Sequence, residues 1–436
     1  MTAAAGGFRP RRRRGAGGSR QTAAPGGLRG PRRNASPAKP ARKAGSRPAP
    51  PPAGPPVRRA AGPRRRPAPP DSGAPGGDQK GHILGTTLDA FAEWCASQDL
   101  PAYRARQVYA WVFGRGVSDF AEMTDLPRPL RDALAGRWSI RRSEVARRQN
   151  SADGTVKLLL SWPDRQTSEC VLIPDADRRT ACISTQVGCP VGCAFCASGL
   201  DGLRRQLSAG EIVEQAVRVR ELCEDGRLTH VVVMGLGEPL ANYPALVQAL
   251  RILNAPWGLN IGARRITVST VGLPAGIRRL AREGLQVNLA ISLHAPDDRL
   301  RRTLIPWAGK ISIDQIVEAG RDFFETTGRE VTLEYILLRG VNDKVYHAHE
   351  LVRICRKMRC NVNLIRYNPV AGLPFERPSS FATNRFLAEL RQRGVNAHLR
   401  ASRGLDIDAA CGQLRRVTGA LPPAEPPPAE PPSSAG

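Results

Sequence analysis

HVVVMG at 230–235 and RITVST at 265–270 are near-continuous apolar runs, and YPALVQALRILN (243–254) between them repeats its apolar residues at helical spacing. A strand, a helix and a second strand make one crossover unit. The alternation extends both ways: AGEIVEQAVRVRELC (209–223) precedes it, and PAGIRRLARE (274–283), QVNLAISLH (286–294), ISIDQIVEAGRDFFETT (311–327), EVTLEYILL (330–338), YHAHELVRICRKM (346–358) and CNVNLIRY (360–367) follow. Strands that are apolar throughout, each preceded by a helix, belong to a parallel sheet buried on both faces, in an open or closed α/β barrel. The polar motifs fall at the C-terminal ends of these strands, where such barrels carry their chemistry.

Upstream the texture differs. TTLDAFAEWCASQ, YRARQVYAWVFGR and AEMTDLPRPLRDALAG, within 86–138, read as short helices of a small accessory domain, with Arg and aromatic residues on exposed turns. SEVARRQ, TVKLLLSW, SECVLIP and RTACISTQ then alternate between turns and read as a β-meander. The expected divisions are 1–80, 81–140, 141–185, 186–418 and 419–436: a basic tail, the helical domain, the meander, a partial barrel ending in a C-terminal loop, and a second tail.

The chain has 436 residues, 41% of them hydrophobic, which suits several packed domains and excludes a small disulfide-stapled scaffold. Of its +26 net charge, most lies in residues 1–80, which hold 19 Lys and Arg against Asp71 and Asp78 and leave +9 for the remainder. That segment is rich in Pro and Gly and poor in large apolar residues, as is 421–436, so both termini are expected to be disordered. Two readings of the basic tail stay open: salt-dependent attraction to nucleic acid, or a compositional bias toward Ala, Arg, Gly and Pro. Its Pro and Gly density argues against an amphipathic transit helix, and no apolar window is long enough to span a membrane. Ten cysteines in a long chain with no signal-like segment indicate a reducing, cytoplasmic setting where thiols serve metals or catalysis.

Three of those thiols lie within eight residues, in Cys189-Pro-Val-Gly-Cys193-Ala-Phe-Cys196. Soft thiolates on a tight Gly-bearing loop suit an iron–sulfur cluster. Zinc would want a fourth ligand, commonly from a second C-x2-C knuckle, and none follows; packed structural thiols are the blander alternative. Three ligands on a four-iron cluster leave one iron open to a bound molecule. Cys95, Cys170, Cys223, Cys355 and Cys360 fall on helix- or strand-patterned segments and read as packed thiols. His230, His347, His349 and His398 have no ligand-like spacing.

The cysteine spacing, with an aromatic before the third Cys, is that of the radical S-adenosylmethionine (SAM) enzymes. QVGCPVGCAFCASG, VVVMGLGEPLANY, RITVSTVGLP, LAISLHAP, LEYILLRGVND, NLIRYNP and SRGLDIDAACGQL follow the order of the adenine-C2 RNA methyltransferases, the RlmN family. The resemblance runs from about residue 85 to about 418. It implies a radical SAM partial barrel with a helical N-terminal domain, a [4Fe-4S] cluster on Cys189, Cys193 and Cys196, and two SAM molecules per turnover. It implies that Cys411 carries a methyl group, that Cys182 resolves the protein–RNA adduct through a transient disulfide with Cys411, and that Glu169 accepts the C2 proton. SAM contacts are implied at Gly237, Glu238, Ser269, Ser292, Leu293, His294 and Asn368. The implied partners are 23S rRNA, tRNA and an external electron donor, with the protein a monomer.

The residues make chemical sense beside the resemblance. Adenine C2 lies between two ring nitrogens and is too electron-poor to attack a methyl sulfonium, so a radical route and a one-carbon carrier are needed. Two competitors remain open: adenine-C8 methylation, which uses the same cysteine set, and a non-catalytic RNA-binding assembly factor, which would not need all five of Cys182, Cys189, Cys193, Cys196 and Cys411. RNA contact is expected from Arg104, Arg106, Arg115, Arg128 and Arg131, and from Arg204-Arg205 and Arg301-Arg302 near the barrel mouth. The target base would have to be unstacked into that mouth.

Overall fold

Ten strands form one sheet, and its order follows the chain. In the computed structural model, which describes residues 80–415, β3 (Glu144–Asn150), β4 (Val156–Ser161), β5 (Thr167–Asp175) and β6 (Arg178–Cys182) are joined antiparallel, as a meander requires. From β6 the sheet continues parallel through β9 (His230–Val233), β10 (Ile266–Thr270), β11 (Asn288–Ser292), β12 (Val331–Leu337), β13 (Cys360–Arg366) and β14 (Ala397–Arg400). The meander is thus hydrogen-bonded to the barrel sheet as its antiparallel extension. Both Pro-rich tails lie outside the described residues.

The helices between parallel strands are α4 (Ala209–Arg220), α5 (Tyr243–Asn254), α6 (Pro274–Ala281), α8 (Ile313–Thr327) and α9 (Val345–Cys355), as the periodicity predicts. Their starts are written locally. Ser208 accepts from the Glu211 amide while Glu211 returns a carboxylate to the Ser208 amide, and Ser312 and Gln315 repeat the arrangement on α8. Gly328, at φ 68°, ends α8. On α5, Leu246, Leu250 and Leu253 are all buried, each burial contributing about 1.5–3 kcal/mol.

Several elements have no counterpart in the sequence reading. A hairpin of β7 (Gln186–Gly188) and β8 (Leu203–Gln206) frames the cysteine loop. Helix α7 (Asp298–Leu304) follows β11, and α10 (Ser380–Gln392) leads to β14, which closes the free side of β13.

The N-terminal helices are α1 (Leu88–Ser97), α2 (Tyr103–Tyr109), which widens into a π-helical turn at Ala110–Arg115, and α3 (Arg128–Arg137). Short strands β1 (Gly81–His82) and β2 (Trp138–Ser139) pair in parallel and close the unit. The expectation of aromatic residues on exposed turns is wrong for most of them. Phe91, Tyr109, Trp111, Phe113 and Trp138 are buried, and the Phe91 ring meets Trp94 and Trp138 at centroid distances of 5.3 Å. A unit this small makes its core from rings. Tyr103 remains exposed, with Arg104 over it at 4.9 Å.

This unit is clamped to α4. A Cβ on Gly85 would fall 2.5 Å from the Gly210 nitrogen, so only glycine permits the approach. Beside it Glu214, fully buried, lies 3.2 Å from His82 Nε2 and accepts from Ser143 Oγ at 2.6 Å and from the Ser143 amide at 2.9 Å. Burial opposes ionisation, yet the His82 and Ser143 hydrogen bonds outweigh it and bring the Glu214 carboxyl down to about 2. A lowered carboxyl contributes stability at neutral pH that is lost as pH falls from its ordinary range, near 4.5, through about 2. Glu214→Ala removes that contribution and strands its donors, at a cost of about 3 kcal/mol, or a fall in Tm on the order of 6 °C. Thermal unfolding checks it; a Tm within about 1 °C of wild type at neutral pH contradicts the clamp.

Candidate active site

The β7–β8 hairpin projects the cysteine loop over the C-terminal ends of the parallel strands. Within the loop, Ala194 donates its amide to the Leu304 carbonyl at 2.9 Å, Ala197 to the Gly412 carbonyl at 2.8 Å, and Ser198 Oγ to the Leu414 carbonyl at 2.7 Å. The loop is therefore tied to α7 on one side and to the C-terminal segment on the other. Phe195 packs edge-on against His294 with centroids 4.9 Å apart.

Cys189, Cys193 and Cys196 line one cavity, open at its mouth. Among the described residues no three His, Cys, Asp or Glu side chains close on a single-ion site. A set of three soft thiols facing a shared space fits a cluster with one unprotected iron better than it fits zinc. Burial pushes the Cys189 thiol up to about 12 and raises Cys193 and Cys196 as well, so deprotonation of the set depends on a bound cation.

Gly237, Glu238, Ser269, Ser292 and His294 line the same cavity. Gly237 adopts φ 108° and its position leaves no room for a side chain, since a Cβ would meet Gln186 at 2.7 Å. Glu238 is buried and its oxygens already serve the chain: Oε1 accepts from Thr270 Oγ1 at 2.8 Å and from the Leu240 amide at 3.0 Å, and Oε2 from the Val271 amide at 2.8 Å. Burial still brings it up to about 7. A carboxylate offers about four acceptor directions, so these three bonds leave one unfilled on a residue that lines the cavity. His294, at φ 57°, is neutral: burial foremost, and Arg301 beside it, bring it down to about 3, and its Nδ1 accepts the Ile336 amide at 3.1 Å.

Two residues expected to contact the cofactor have their side chains engaged elsewhere. The Leu293 side chain belongs to the buried core. Asn368 braces the C-terminal loop instead of lining the cavity: its Nδ2 donates to the Cys411 carbonyl at 3.0 Å, and its Oδ1 accepts from Ser402 Oγ at 2.7 Å and from Arg377 Nη2 at 2.9 Å.

That loop runs from Gly404 to Arg415 and brings Cys411, an exposed residue, to the cavity. Cys182 lies below it, at the end of β6, packed with Val171, Leu236, Ala409 and Leu414. Burial pushes the Cys182 thiol up to about 12, and Cys411 acts in the same direction. Glu169 also lies outside the cavity, beneath the loop. Its Oε2 accepts the Arg415 amide at 2.8 Å and its Oε1 lies 3.2 Å from Lys157 Nζ.

Two further charged lining residues escaped the sequence reading. Glu334 stands mid-strand on β12, its Oε1 accepting from Asn363 at 2.9 Å and its Oε2 buried without a partner. Arg400, from β14, places Nη1 3.6 Å from Glu334 and 3.9 Å from the Met234 sulfur. A lone carboxylate inside EVTLEYILL was a visible signal; Arg400 had none, because its strand went unread. Among the surface arginines, Arg301 is a correction. It is 1% exposed and donates to the Val271 and Leu293 carbonyls, tying α7 to the barrel instead of facing RNA. Arg205 is committed to Asp164 and Glu211. Arg131 donates to the Ala121 carbonyl at 2.6 Å. Arg115 stacks over Trp111 at 3.7 Å, and Arg106, Arg204 and Arg302 are exposed.

Residues 183–352 match the family model of the radical SAM superfamily, and residues 82–140 match the ribosomal RNA large subunit methyltransferase N-terminal domain. The chain is 47% identical over 344 residues to a probable dual-specificity RNA methyltransferase RlmN of Rhodopirellula baltica, covering 79% of this chain and 93% of the relative. It is 48% identical over 334 residues to the protein of the same description from Gloeobacter violaceus, covering 77% and 95%. Among solved structures, a radical SAM methyltransferase from Sphaerobacter thermophilus superposes with a TM-score of 0.75 at 48% identity, over 77% of this chain and 99% of that one.

Proposed function

The chain belongs to the RlmN family of radical SAM dual-specificity RNA methyltransferases, and from that premise we propose that it methylates carbon 2 of an adenosine in 23S rRNA and in tRNA. Cys189, Cys193 and Cys196 would hold the [4Fe-4S] cluster, which when bound supplies the electron for reductive cleavage of SAM. An external donor restores that electron. Gly237, Glu238, Ser269, Ser292 and His294 orient SAM at the strand ends.

Cys411 takes a methyl group from a first SAM molecule and holds it, as a thioether, inside the cavity. A second SAM accounts for the hydrogen removed from that methyl. Once the carbon is joined to C2, Glu169 accepts the C2 proton and the Cys182 thiolate attacks the Cys411 sulfur. The bond from that sulfur to the methylene carbon breaks, the carbon leaves with the electron pair and takes up a proton to become the methyl group, and a disulfide remains for a thiol reductant to reset. The helical unit, divided from the rest near residue 140, offers Arg104, Arg106, Arg115 and Arg128 to the RNA, with Arg204 and Arg302 at the mouth.

The observation that carries this reading is that Cys411 lines the same cavity as Cys189, Cys193 and Cys196, with Cys182 packed under the loop that bears it. Two soft nucleophiles beside a cluster loop have little use in polar methyl transfer and a clear one in a carrier mechanism. Anaerobically reconstituted protein given 23S rRNA or tRNA lacking the modification should yield 2-methyladenosine on nucleoside mass spectrometry. Release of 8-methyladenosine would replace the C2 assignment, and modification of one RNA alone would narrow the substrate to it.

A further inference from the structure

Residues directly paired in an antiparallel ladder share a face of the sheet. Leu159 pairs with Glu169, Lys157 with Val171, and Val171 with Cys182. Side chains two apart on one strand share that face too, so Lys157, Glu169 and Cys182 project together toward the loop that bears Cys411. Lys157 joins the sheet to the loop. Its side chain is 7% exposed, and its Nζ lies 3.2 Å from Glu169 Oε1 and donates to the Asp408 carbonyl at 3.2 Å.

A buried ion pair seldom recovers the desolvation of its two charges, so stability alone is a poor reason to keep a lysine there. We propose that Lys157 is a positioning residue for the methylation reaction, holding the Glu169 carboxylate as an anion able to take a proton and fixing the loop that presents Cys411. This rests on the reading of Glu169 as the proton acceptor. In that step the C2–H bond breaks, the proton passes to the carboxylate to give a neutral acid, and the electron pair stays in the purine ring.

The groups facing Glu169 are Lys157 from β4, Asp408 and the Arg415 amide from the loop, and the neutral Cys182 thiol from β6; Cys170, next to Glu169 on β5, turns to the opposite face of the sheet. Burial raises the Glu169 carboxyl and Asp408 adds to the rise, whereas the Lys157 ammonium and the Arg415 amide oppose it. Removing the ammonium therefore moves the ionisation of Glu169 to higher pH. A base acts only when ionised, so the acidic limb of the release step moves up as well.

The test is single-turnover release of product from the protein–RNA adduct, followed against pH in the reconstituted full chain with substrate RNA. Lys157→Gln should displace the acidic midpoint upward by about one pH unit or more, a tenfold loss of rate below it, and Lys157→Arg should restore the wild-type midpoint. A K157Q profile that overlays wild type overturns the proposal. The underlying reading is judged separately by Glu169→Gln, since wild-type release in that variant removes Glu169 from the step. Should K157Q not fold, the K157Q/E169Q double variant, free of the uncompensated buried charge, reads the second part of the proposal. Alkylation of Cys411 by iodoacetamide should then be several-fold faster than in E169Q alone, and equal rates overturn it.

Discussion

Cys182→Ala is expected to leave methyl loading and attack on RNA intact and to stop the protein at a covalent adduct with its substrate. The thioether linking Cys411 to the base can be opened only by a second sulfur within reach, and Cys182 packs against Ala409 and Leu414 of the Cys411 loop. The neighbouring Cys170 cannot substitute. It lies on the same strand one residue from Glu169, so it points to the opposite face, toward Glu214 and Arg218 of α4. Multiple-turnover methylation should fall by about a thousandfold or more, equivalent to about 4 kcal/mol on the barrier to release. A protein–RNA band on denaturing gels, sensitive to nuclease and carrying label from SAM, is the readout. Clean turnover would take Cys182 out of the resolving role.

Cys411→Ala is expected to abolish methylation without adduct. Nothing else on the cavity can take Cys411's place as carrier: the other lining thiols are Cys189, Cys193 and Cys196, which the proposed cluster would occupy. The Met234 sulfur also lines it, but a thioether that accepted a methyl would become a sulfonium and not a stable methyl carrier. The variant should retain its iron, because no cluster ligand is altered, and any cleavage of SAM should be uncoupled from RNA. Iron content and nucleoside analysis on the same preparation separate this outcome from a folding defect.

The barrel and the cluster loop were legible because each rests on a local rule. Apolar strands alternating with helical periods leave few topologies, and three thiols in eight residues name a ligand class. What could not be read depends on distant parts of the chain meeting. Ser380–Gln392 and Ala397–Arg400 follow a Pro- and Gly-containing stretch that obscured the period, so β14 was missed, and with it Arg400 at the cavity wall. Arg301 looked like surface charge because it stands beside Arg302 in a polar run. Only the fold shows that helix α7 turns it inward onto two carbonyls. Asn368 follows a strand end as a cofactor contact would, yet its amide is used on the Cys411 carbonyl. Lys157, inside TVKLLLSW, looked like an ordinary strand lysine until the meander laid it beside Glu169.

The basic tail illustrates the same division. It carries most of the +26 charge, but RNA as substrate rests on the family of the folded part and not on that charge.

The central claim is that Cys411 carries the methyl group, and its most direct test is the mass of one peptide. Reconstituted protein should be incubated anaerobically with isotopically labelled SAM, digested before any RNA is added, and digested again after one turnover with RNA. The account predicts a Cys411 peptide heavier by one labelled methyl on sulfur, which then loses that carbon as the label appears on adenine C2. RNA methylated to completion while the Cys411 peptide stays unmodified throughout would contradict it.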